Sequence, residues 1–468
     1  MATTLIRGGT VVTAEGASEM DVLVEGEKVA ALAAPLSAIG STWAEHADTI
    51  VEASGKYVIP GGIDGHTHMD MPFGGTTSAD TFETGTRAAA WGGTTTIVDF
   101  AIQRKGETLA AGLENWHERA DGRCAIDFGF HAIISDVNDS SLAEMDDLVR
   151  MGITSFKLFM AYPGVFYATD HDILRAMTKA ASNGALIMMH AENGIAIDAL
   201  VADAVARGES DPIYHGLTRP AELEGEAVGR AASLAAVAGT PLYIVHLSST
   251  PALEAVVEAR DRGQNVFAET CPQYLYLSQD DMARPDFEGA KFVCTPPLRP
   301  REHQAELWRG LRTDDLSVVS TDHCPFCFVE QKELGRGDFT KIPNGLPGVE
   351  NRMDLIYQGV VSGHISLARW VEVTSTNPAK MFGLYPQKGS IGPGSDADIV
   401  IYDPNATQTL SASTHHMAVD YSCYEGMTIT GRVDTVFSRG RRLIGDGEYH
   451  GDESHGRFLA RGLCQHLR

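Results

Sequence analysis

Four histidines, a lysine and an aspartate stand near the ends of apolar runs in this 468-residue sequence. In the stretch HTH, His66 and His68 are two residues apart, so on an extended segment both imidazoles face the same side. A lone buried histidine is more often a hydrogen-bonded core residue than a ligand, but a set of this kind predicts a metal site. Four imidazoles and one carboxylate suit Zn²⁺, Mn²⁺, Co²⁺ or Ni²⁺. The other members of the set are Lys157, His190, His246 and Asp322.

The lysine of this set, Lys157, lies in the middle of an apolar run, SFKLFMAYPG. An ammonium is costly to bury, so it must pair with an acid, reach solvent along its own stem or change its pKa. A lowered pKa would leave part of it as a neutral amine, which can react with carbon dioxide to form a carbamate. The histidines and the aspartate are too few to hold two metal ions. We therefore hypothesise that Lys157 is N6-carboxylysine and that its carbamate bridges two divalent cations.

Eight strand-like apolar runs alternate with segments of helical pattern and would position these residues. This alternation predicts a (β/α)₈ barrel. A doubly wound sheet alternates in a similar way, but no Gly-rich dinucleotide fingerprint follows an early run. The candidate residues stand near the C-terminal ends of the runs, where barrel enzymes build their sites. In chain order the runs are YVIPGGIDGHTH, TTTIVDFA, IDFGFHAII, TSFKLFMA, LIMMHAE, LYIVHLS, NVFAETCP and SVVSTDH.

The two ends of the chain differ from this middle part. Residues 1–57 and the residues from about 388 onward alternate apolar and polar side chains, with turns that contain glycine. This pattern predicts antiparallel β structure. We therefore expect one discontinuous β-domain, formed by residues 1–57 and 388–468 with a C-terminal extension, around a barrel domain of residues 58–387.

Composition limits the classes of partner. Lys and Arg total 37 against 62 Asp and Glu, a formal net charge of −25, which argues against nucleic acid and anionic membranes. No segment has the apolar length of a membrane span, and MATTLIRGGTVV lacks the features of a signal peptide. Seven scattered cysteines fit reduced thiols, and the CxxC of Cys324 and Cys327 lacks the second pair of a zinc ribbon. We expect a cytoplasmic protein.

A series of motifs resembles the hydantoinase and dihydropyrimidinase group of cyclic amidohydrolases. They cover nearly the whole chain and occur in the order found in that family. The resemblance implies a (β/α)₈ barrel with a β-sandwich built from both chain ends, and a homotetramer, with a dimer as the alternative. The motifs are GGIDGHTH, SFKLFMAYPG, MMHAEN, IVHLSS, CTPPLRP, STDHCPF, IPNGLPGVENRM, TSTNPAKMFGLYPQKGSIGPGSDADIVIYDP and VDYSCYEG.

The resemblance also implies two divalent metal ions per subunit. Zinc is the first expectation, with manganese, cobalt or nickel as alternatives, and carbon dioxide is needed for lysine carboxylation. The implied ligands are His66, His68 and Asp322 for one ion, His190 and His246 for the other, and carboxylated Lys157 between them.

A cyclic amide is the implied substrate, and its ring would open to an N-carbamoyl amino acid. A water shared by the two ions would lose a proton near neutral pH and attack the ring carbonyl, and Asp322 would pass that proton to the leaving nitrogen. Tyr162 would stabilise the oxyanion, while the backbones of Thr295 and Asn344 would hold the amide groups of the ring. Family members commonly have Ser at the position of Thr295, which matters little for a backbone contact. Tyr162 could instead fill a loop, and Thr295 and Asn344 could be turn residues.

Several residues bear on which ring is opened. Dihydroorotases carry Arg and allantoinases Asn at the position of Asp70, where an acid would repel an anionic substituent unless it only caps a loop. We therefore expect dihydropyrimidines or 5-substituted hydantoins as substrates, with an allantoinase-like or other cyclic-imide hydrolase as the alternative. A non-catalytic scaffold is disfavoured because every implied metal ligand is present. An apolar wall for the ring substituent, or else ordinary barrel packing, would come from Met71, Phe73, Phe159 and Phe166.

Overall fold

Eight buried runs form a parallel barrel in the computed structural model, which describes residues 2–35 and 37–467. Neighbouring strands pair in chain order, and a bridge between Thr67 and His323 brings the segment after the eighth strand back to the first. The side chains of these strands are buried on both faces, which explains their continuous apolar sequences. The predicted (β/α)₈ barrel is confirmed. Its strands, in order, are Gly62–Thr67, Thr94–Ile102, Asp127–Ile133, Ser155–Phe159, Leu186–His190, Leu242–Ile244, Val266–Thr270 and Val318–Val319.

Helices alternate with the barrel strands and begin at well-formed caps. The side chains of Thr81, Thr108, Asn138 and Thr169 each accept a hydrogen bond from a backbone N–H in the first turn of the helix that follows. Ala38–His46 lies outside the barrel, in the N-terminal part of the chain. The other α-helices are Phe82–Trp91, Leu109–Ala120, Asp139–Arg150, Asp170–Asn183, Gly194–Ala206, Ile213–Leu217, Ala221–Ala238, Thr250–Asp261, Pro272–Tyr276, Glu302–Thr313, Arg352–Val361, Leu367–Val371 and Asn377–Met381.

Shorter elements form several of the remaining connections. Pro72–Phe73 and Thr76–Thr77 form a small hairpin after the first barrel strand. Glu372–Thr376 is a π-helical turn. The 3₁₀ turns are Gln279–Ala283, Glu288–Phe292, Lys332–Gly335 and Phe339–Lys341.

Along residues 2–35 and 37–467, no helix is both long and apolar enough to cross a membrane.

Strands from both chain ends form a second, nine-stranded sheet. Its side chains enclose an apolar core of their own, which includes Ile6, Val22, Val58, Ile399 and Phe437. The β-domain predicted from the two termini is confirmed. Its strands lie in the order Glu448–Tyr449, Arg441–Gly445, Thr428–Ser438, Ile399–Thr409, Tyr57–Pro60, Thr3–Thr13, Gly16–Glu25 and Lys28–Ala33, with Thr49–Glu52 also beside Thr3–Thr13.

Two pairings in this sheet differ from the antiparallel expectation. Thr49–Glu52 and Tyr57–Pro60 both run parallel to Thr3–Thr13. The first predicted run, YVIPGGIDGHTH, is therefore divided between the two sheets at Gly61. A side chain at Gly61 would meet Thr95 Oγ1 at 2.1 Å, so the glycine lets the chain pass close to the second barrel strand.

The C-terminal segment closes the end of the barrel opposite the strand ends that carry the candidate residues. The backbone N–H of Leu459 donates to Phe128 O at 2.7 Å, where the third strand begins. Arg461 is 3% exposed, and its guanidinium donates to Phe130 O at 2.5 Å and to Ser155 Oγ at 2.8 Å. The segment therefore satisfies backbone groups that would otherwise be buried without a partner.

Replacing Arg461 with methionine is expected to lower the free energy of unfolding by about 1–3 kcal/mol, because it removes the donor of the buried Phe130 carbonyl, while Ser155 Oγ keeps its contact with His131 Nδ1. Urea and thermal unfolding would measure the loss, and kcat and KM of the folded enzyme should stay unchanged. Arg457→Met is the matched control, since Arg457 is exposed on the same segment and pairs with Glu27 on the surface. Equal effects of the two substitutions would contradict the closing role of Arg461.

Candidate active site

The first and eighth barrel strands bring two histidines and an aspartate together at the barrel mouth. Asp322 Oδ1 lies 3.1 Å from His66 Nε2 and 3.2 Å from His68 Nε2. All three side chains are buried. Their ligand atoms are close enough to share a single cation.

Lys157 projects from the fourth strand into the same place. Its Nζ lies 3.0 Å from His66 Nε2 and above the rings of Phe100 and Phe159, at 4.2 and 4.9 Å from their centroids. The residue is 1% exposed, so its ammonium does not reach solvent. Burial lowers the pKa of Lys157 to about 8, although the charges of Asp322 and Glu269 oppose this change.

The fifth and sixth strands contribute the remaining two histidines. The ring of His246 lies 4.5 Å from that of His190 and 5.4 Å from that of His66, measured between centroids. His246 has a backbone φ of 41°, a strained conformation of the kind that clusters at functional sites. His190 Nε2 donates to Glu192 Oε2 at 2.7 Å, so the ring nitrogen that does not contact Glu192 is Nδ1. All six predicted ligands thus come from strand ends at one mouth of the barrel.

Two of the histidines, His66 and His246, are in the protonation state that metal binding requires. Among the residues that the structure describes, neither His68 Nδ1 nor His246 Nδ1 has a hydrogen-bond partner, although both atoms are buried. Burial also holds the pKa of His66 and of His246 well below the ordinary value, so both imidazoles are neutral. Neutral imidazole with an unpaired nitrogen is a metal ligand. The donor set therefore fits divalent metal ions.

The sequence reasoning missed Glu269, on the seventh strand. Its Oε1 accepts from His66 Nδ1 at 2.5 Å and from the His246 backbone N–H at 3.1 Å. Its Oε2 accepts from the hydroxyls of Tyr243 and Ser320, both at 2.7 Å. With its Nδ1 proton fixed in this way, His66 turns Nε2 towards the aspartate and the lysine. The available signal was an acid near the end of the seventh apolar run, NVFAETCP.

The substitution Glu269→Gln is expected to weaken metal retention by roughly 10–100-fold, because an amide has one acceptor oxygen where the two oxygens of Glu269 accept four hydrogen bonds, including the one that orients His66. Metal content after dialysis against graded chelator concentrations measures this effect directly. Glu288→Gln, on the surface, serves as the control. If the two variants kept metal equally well, Glu269 would have no orienting role.

The residues predicted to contact substrate line one cavity beside this cluster. Burial raises the pKa of Tyr162, so its hydroxyl stays protonated, and that hydroxyl interacts with the side chains of Thr295 and Asn344. Cys324 also lines the cavity, which the sequence did not indicate. The predicted residues in its lining are Tyr162, Thr295, Asn344, Met71, Phe73, Phe159 and Phe166, together with His68, Lys157, His190, His246 and Asp322.

Asp70 contacts a helix rather than the cavity. Its Oδ2 accepts from the backbone N–H of Phe82 at 3.0 Å, at the start of Phe82–Trp91. Within the described chain it is not part of the cavity lining. This geometry fits the loop-capping interpretation of Asp70 better than a contact with substrate.

Comparison with known proteins agrees with this arrangement. The model of the amidohydrolase family matches residues 57–443. A D-hydantoinase of Streptomyces coelicolor is 65% identical over 99% of both chains. A crystal structure of dihydropyrimidinase from Brevibacillus agri superposes with a TM-score of 0.96 at 50% identity, over 98% of this chain and 99% of that one. An L-hydantoinase from Arthrobacter aurescens gives 0.88 at 32% identity, over 98% and 100%. The chain therefore belongs to the amidohydrolase family and, within it, to the hydantoinase and dihydropyrimidinase group of cyclic amide hydrolases.

Proposed function

We propose that the protein is a binuclear-metal hydrolase that opens the rings of 5-substituted hydantoins and dihydropyrimidines to N-carbamoyl amino acids. The observation that carries the proposal is the convergence of six ligand-type side chains at one barrel mouth, beside a cavity walled by aromatic residues. The names of the relatives from Streptomyces coelicolor and Brevibacillus agri support the two substrate classes. Higher identity to the D-hydantoinase than to the L-hydantoinase supports a preference for D-enantiomers.

In this proposal the six side chains hold two divalent ions. When bound, such ions supply Lewis-acid activation of water and of the ring carbonyl. Zinc suits the mixed nitrogen and oxygen donors, and manganese, cobalt or nickel are the alternatives. The proposed ligands are His66, His68 and Asp322 for one ion, His190 and His246 for the other, and Lys157, carboxylated by carbon dioxide, for both.

In this proposal, side chains and backbone groups of the protein transfer the proton and bind the substrate. Asp322 takes a proton from the water that attacks the ring carbonyl and delivers it to the departing ring nitrogen. The Tyr162 hydroxyl donates a hydrogen bond to the carbonyl oxygen that becomes negative, while the backbones of Thr295 and Asn344 hold the ring amides. The ring substituent would lie against Phe159 and the other apolar residues of the cavity, which also exclude water.

The setting of the enzyme is part of the proposal. The resemblance supports a cytoplasmic homotetramer that acts in pyrimidine degradation, with residues 58–387 as the catalytic barrel and residues 1–57 and 388–468 as the β-domain. Light scattering of the purified protein would give its oligomeric state.

A steady-state comparison tests the function. The metal-replete enzyme would be assayed with dihydrouracil, 5-substituted hydantoins of both hands, allantoin and dihydroorotate. We expect the highest kcat/KM for a D-5-substituted hydantoin or dihydrouracil, and about two metal equivalents per chain. A higher kcat/KM for allantoin would favour the allantoinase-like alternative, and absence of both metal and hydrolysis would favour a scaffold.

A further inference from the structure

A second buried lysine, Lys332, lies beneath the substrate cavity in the 3₁₀ turn Lys332–Gly335. It is 0% exposed, and its Nζ donates to three backbone carbonyls. The distances are 2.9 Å to Val293 O, 2.7 Å to Pro343 O and 2.9 Å to Gly345 O. Each of the three ammonium protons thus has an acceptor, so the cost of burying the charge is offset by hydrogen bonds.

These carbonyls belong to the two segments that carry the proposed ring-binding residues. Val293 stands two residues before Thr295, while Pro343 and Gly345 flank Asn344. Val293 O also accepts from the backbone N–H of Gly345 at 3.0 Å, which joins the segments directly. Lys332 therefore sets the separation of two stretches of backbone that would have to grip one ring.

The fit around Gly345 leaves little freedom for these segments to shift. Gly345 has a φ of 148°, and a Cβ at this position would meet Cys324 O at 2.1 Å. The segment of Thr295 also contacts His215, whose Nε2 donates to Cys294 O at 2.8 Å and lies 3.2 Å from Thr295 Oγ1. Because Lys332 Nζ donates to carbonyls of both segments, its loss would remove an anchor that the two segments share.

We propose that Lys332 is a positioning residue for substrate binding, which fixes the backbones of Thr295 and Asn344 relative to each other; this rests on the proposed function. Because those backbone groups contact the amide ring and not its substituent, loss of Lys332 should weaken the binding of every cyclic amide substrate to a similar degree. Metal binding should be unaffected, since the Lys332 ammonium donates to backbone carbonyls and to none of the proposed metal ligands.

Steady-state kinetics of Lys332→Met and Lys332→Gln test this role in the metal-loaded enzyme. The glutamine variant keeps two N–H donors for the carbonyls, so it provides a folded variant to test if Lys332→Met does not fold. We expect KM to rise roughly tenfold or more for both dihydrouracil and a 5-substituted hydantoin, with kcat within about threefold of the wild type and unchanged metal content. Lys291→Met is the control, because Lys291 pairs with Glu288 near the surface.

Two results separate the failure of this proposal from the failure of the proposed function. A wild-type enzyme that opens no cyclic amide overturns the function. A wild-type enzyme that is active, with KM in a metal-loaded Lys332 variant within about twofold of its own, overturns the positioning role alone. A variant that only unfolds at lower temperature, with unchanged KM, also overturns the positioning role, because that is the behaviour of a purely structural lysine.

Discussion

Replacing Lys157 with methionine is expected to release most of the bound metal and to lower turnover by more than about 10²-fold. Loss of a residue that only hydrogen-bonds a metal ligand costs at most about 10²-fold, and loss of a ligand itself should cost more. Methionine fills a similar volume, so the barrel mouth should keep its shape. The wild-type amine lies 3.0 Å from His66 Nε2 and is buried, so methionine removes a polar group from the centre of the ligand cluster. Metal content by elemental analysis, together with kcat on a hydantoin, measures both effects.

Carboxylation of Lys157 adds a pH dependence that can be followed during reconstitution of the metal-free protein. Only the neutral amine reacts with carbon dioxide. With a pKa of about 8, close to one tenth of the side chain is neutral at pH 7 and half at pH 8. At a fixed concentration of dissolved carbon dioxide, activation by metal should therefore speed up as pH rises from 7 to 8 and level off above about pH 9. Rates that were independent of bicarbonate would contradict the carbamate.

The chain offers a matched control for this chemistry. Burial also lowers the pKa of Lys332 to about 8, yet its ammonium already donates to three carbonyls. Carbon-13 bicarbonate should therefore label one lysine, seen as a carbamate signal that disappears in Lys157→Met and persists in Lys332→Met. An unmodified Lys157 in active, metal-loaded protein would rule out the carbamate.

The barrel could be predicted from sequence because its strands are buried on both faces and read as unbroken apolar runs. The division of the first run, YVIPGGIDGHTH, between the two sheets could not be predicted in this way. Tyr57–Pro60 and Gly62–Thr67 are separated only by Gly61, and the first joins the terminal sheet because Thr3–Thr13 and Ile399–Thr409 pair with it there. Pairing between distant segments depends on partners that local patterns do not specify.

The same distinction holds at the active site. Side chains that bind metal directly could be proposed from their chemical type and their place at strand ends. Glu269 and Lys332 could not, because their significance lies in what they contact, an imidazole proton in one case and three backbone carbonyls in the other. Arg461 is similar, since only the fold brings the C-terminal segment beneath the barrel.

The substitution Tyr162→Phe is expected to lower kcat by roughly 10²–10³-fold, the usual cost of losing one oxyanion donor. The change removes only the hydroxyl. The ring packs among Phe73, Phe159 and Phe166 at centroid distances of 5.7, 6.1 and 6.4 Å, and phenylalanine keeps those contacts. Metal content should stay normal, which separates this variant from Lys157→Met.

The kinetic pattern of Tyr162→Phe decides how the hydroxyl acts. A fall in kcat and kcat/KM by the same factor means that the hydrogen bond forms in the transition state, whereas a rise in KM alone would make it a ground-state contact. Tyr167→Phe is the control, because Tyr167 lies in the same loop but, among the residues described, is outside the cavity lining. Since burial keeps the Tyr162 hydroxyl protonated, the wild-type pH profile should show no loss of activity from tyrosine ionisation below its raised pKa. Wild-type turnover by Tyr162→Phe would remove this hydroxyl from the mechanism and leave the metal ions to stabilise the oxyanion alone.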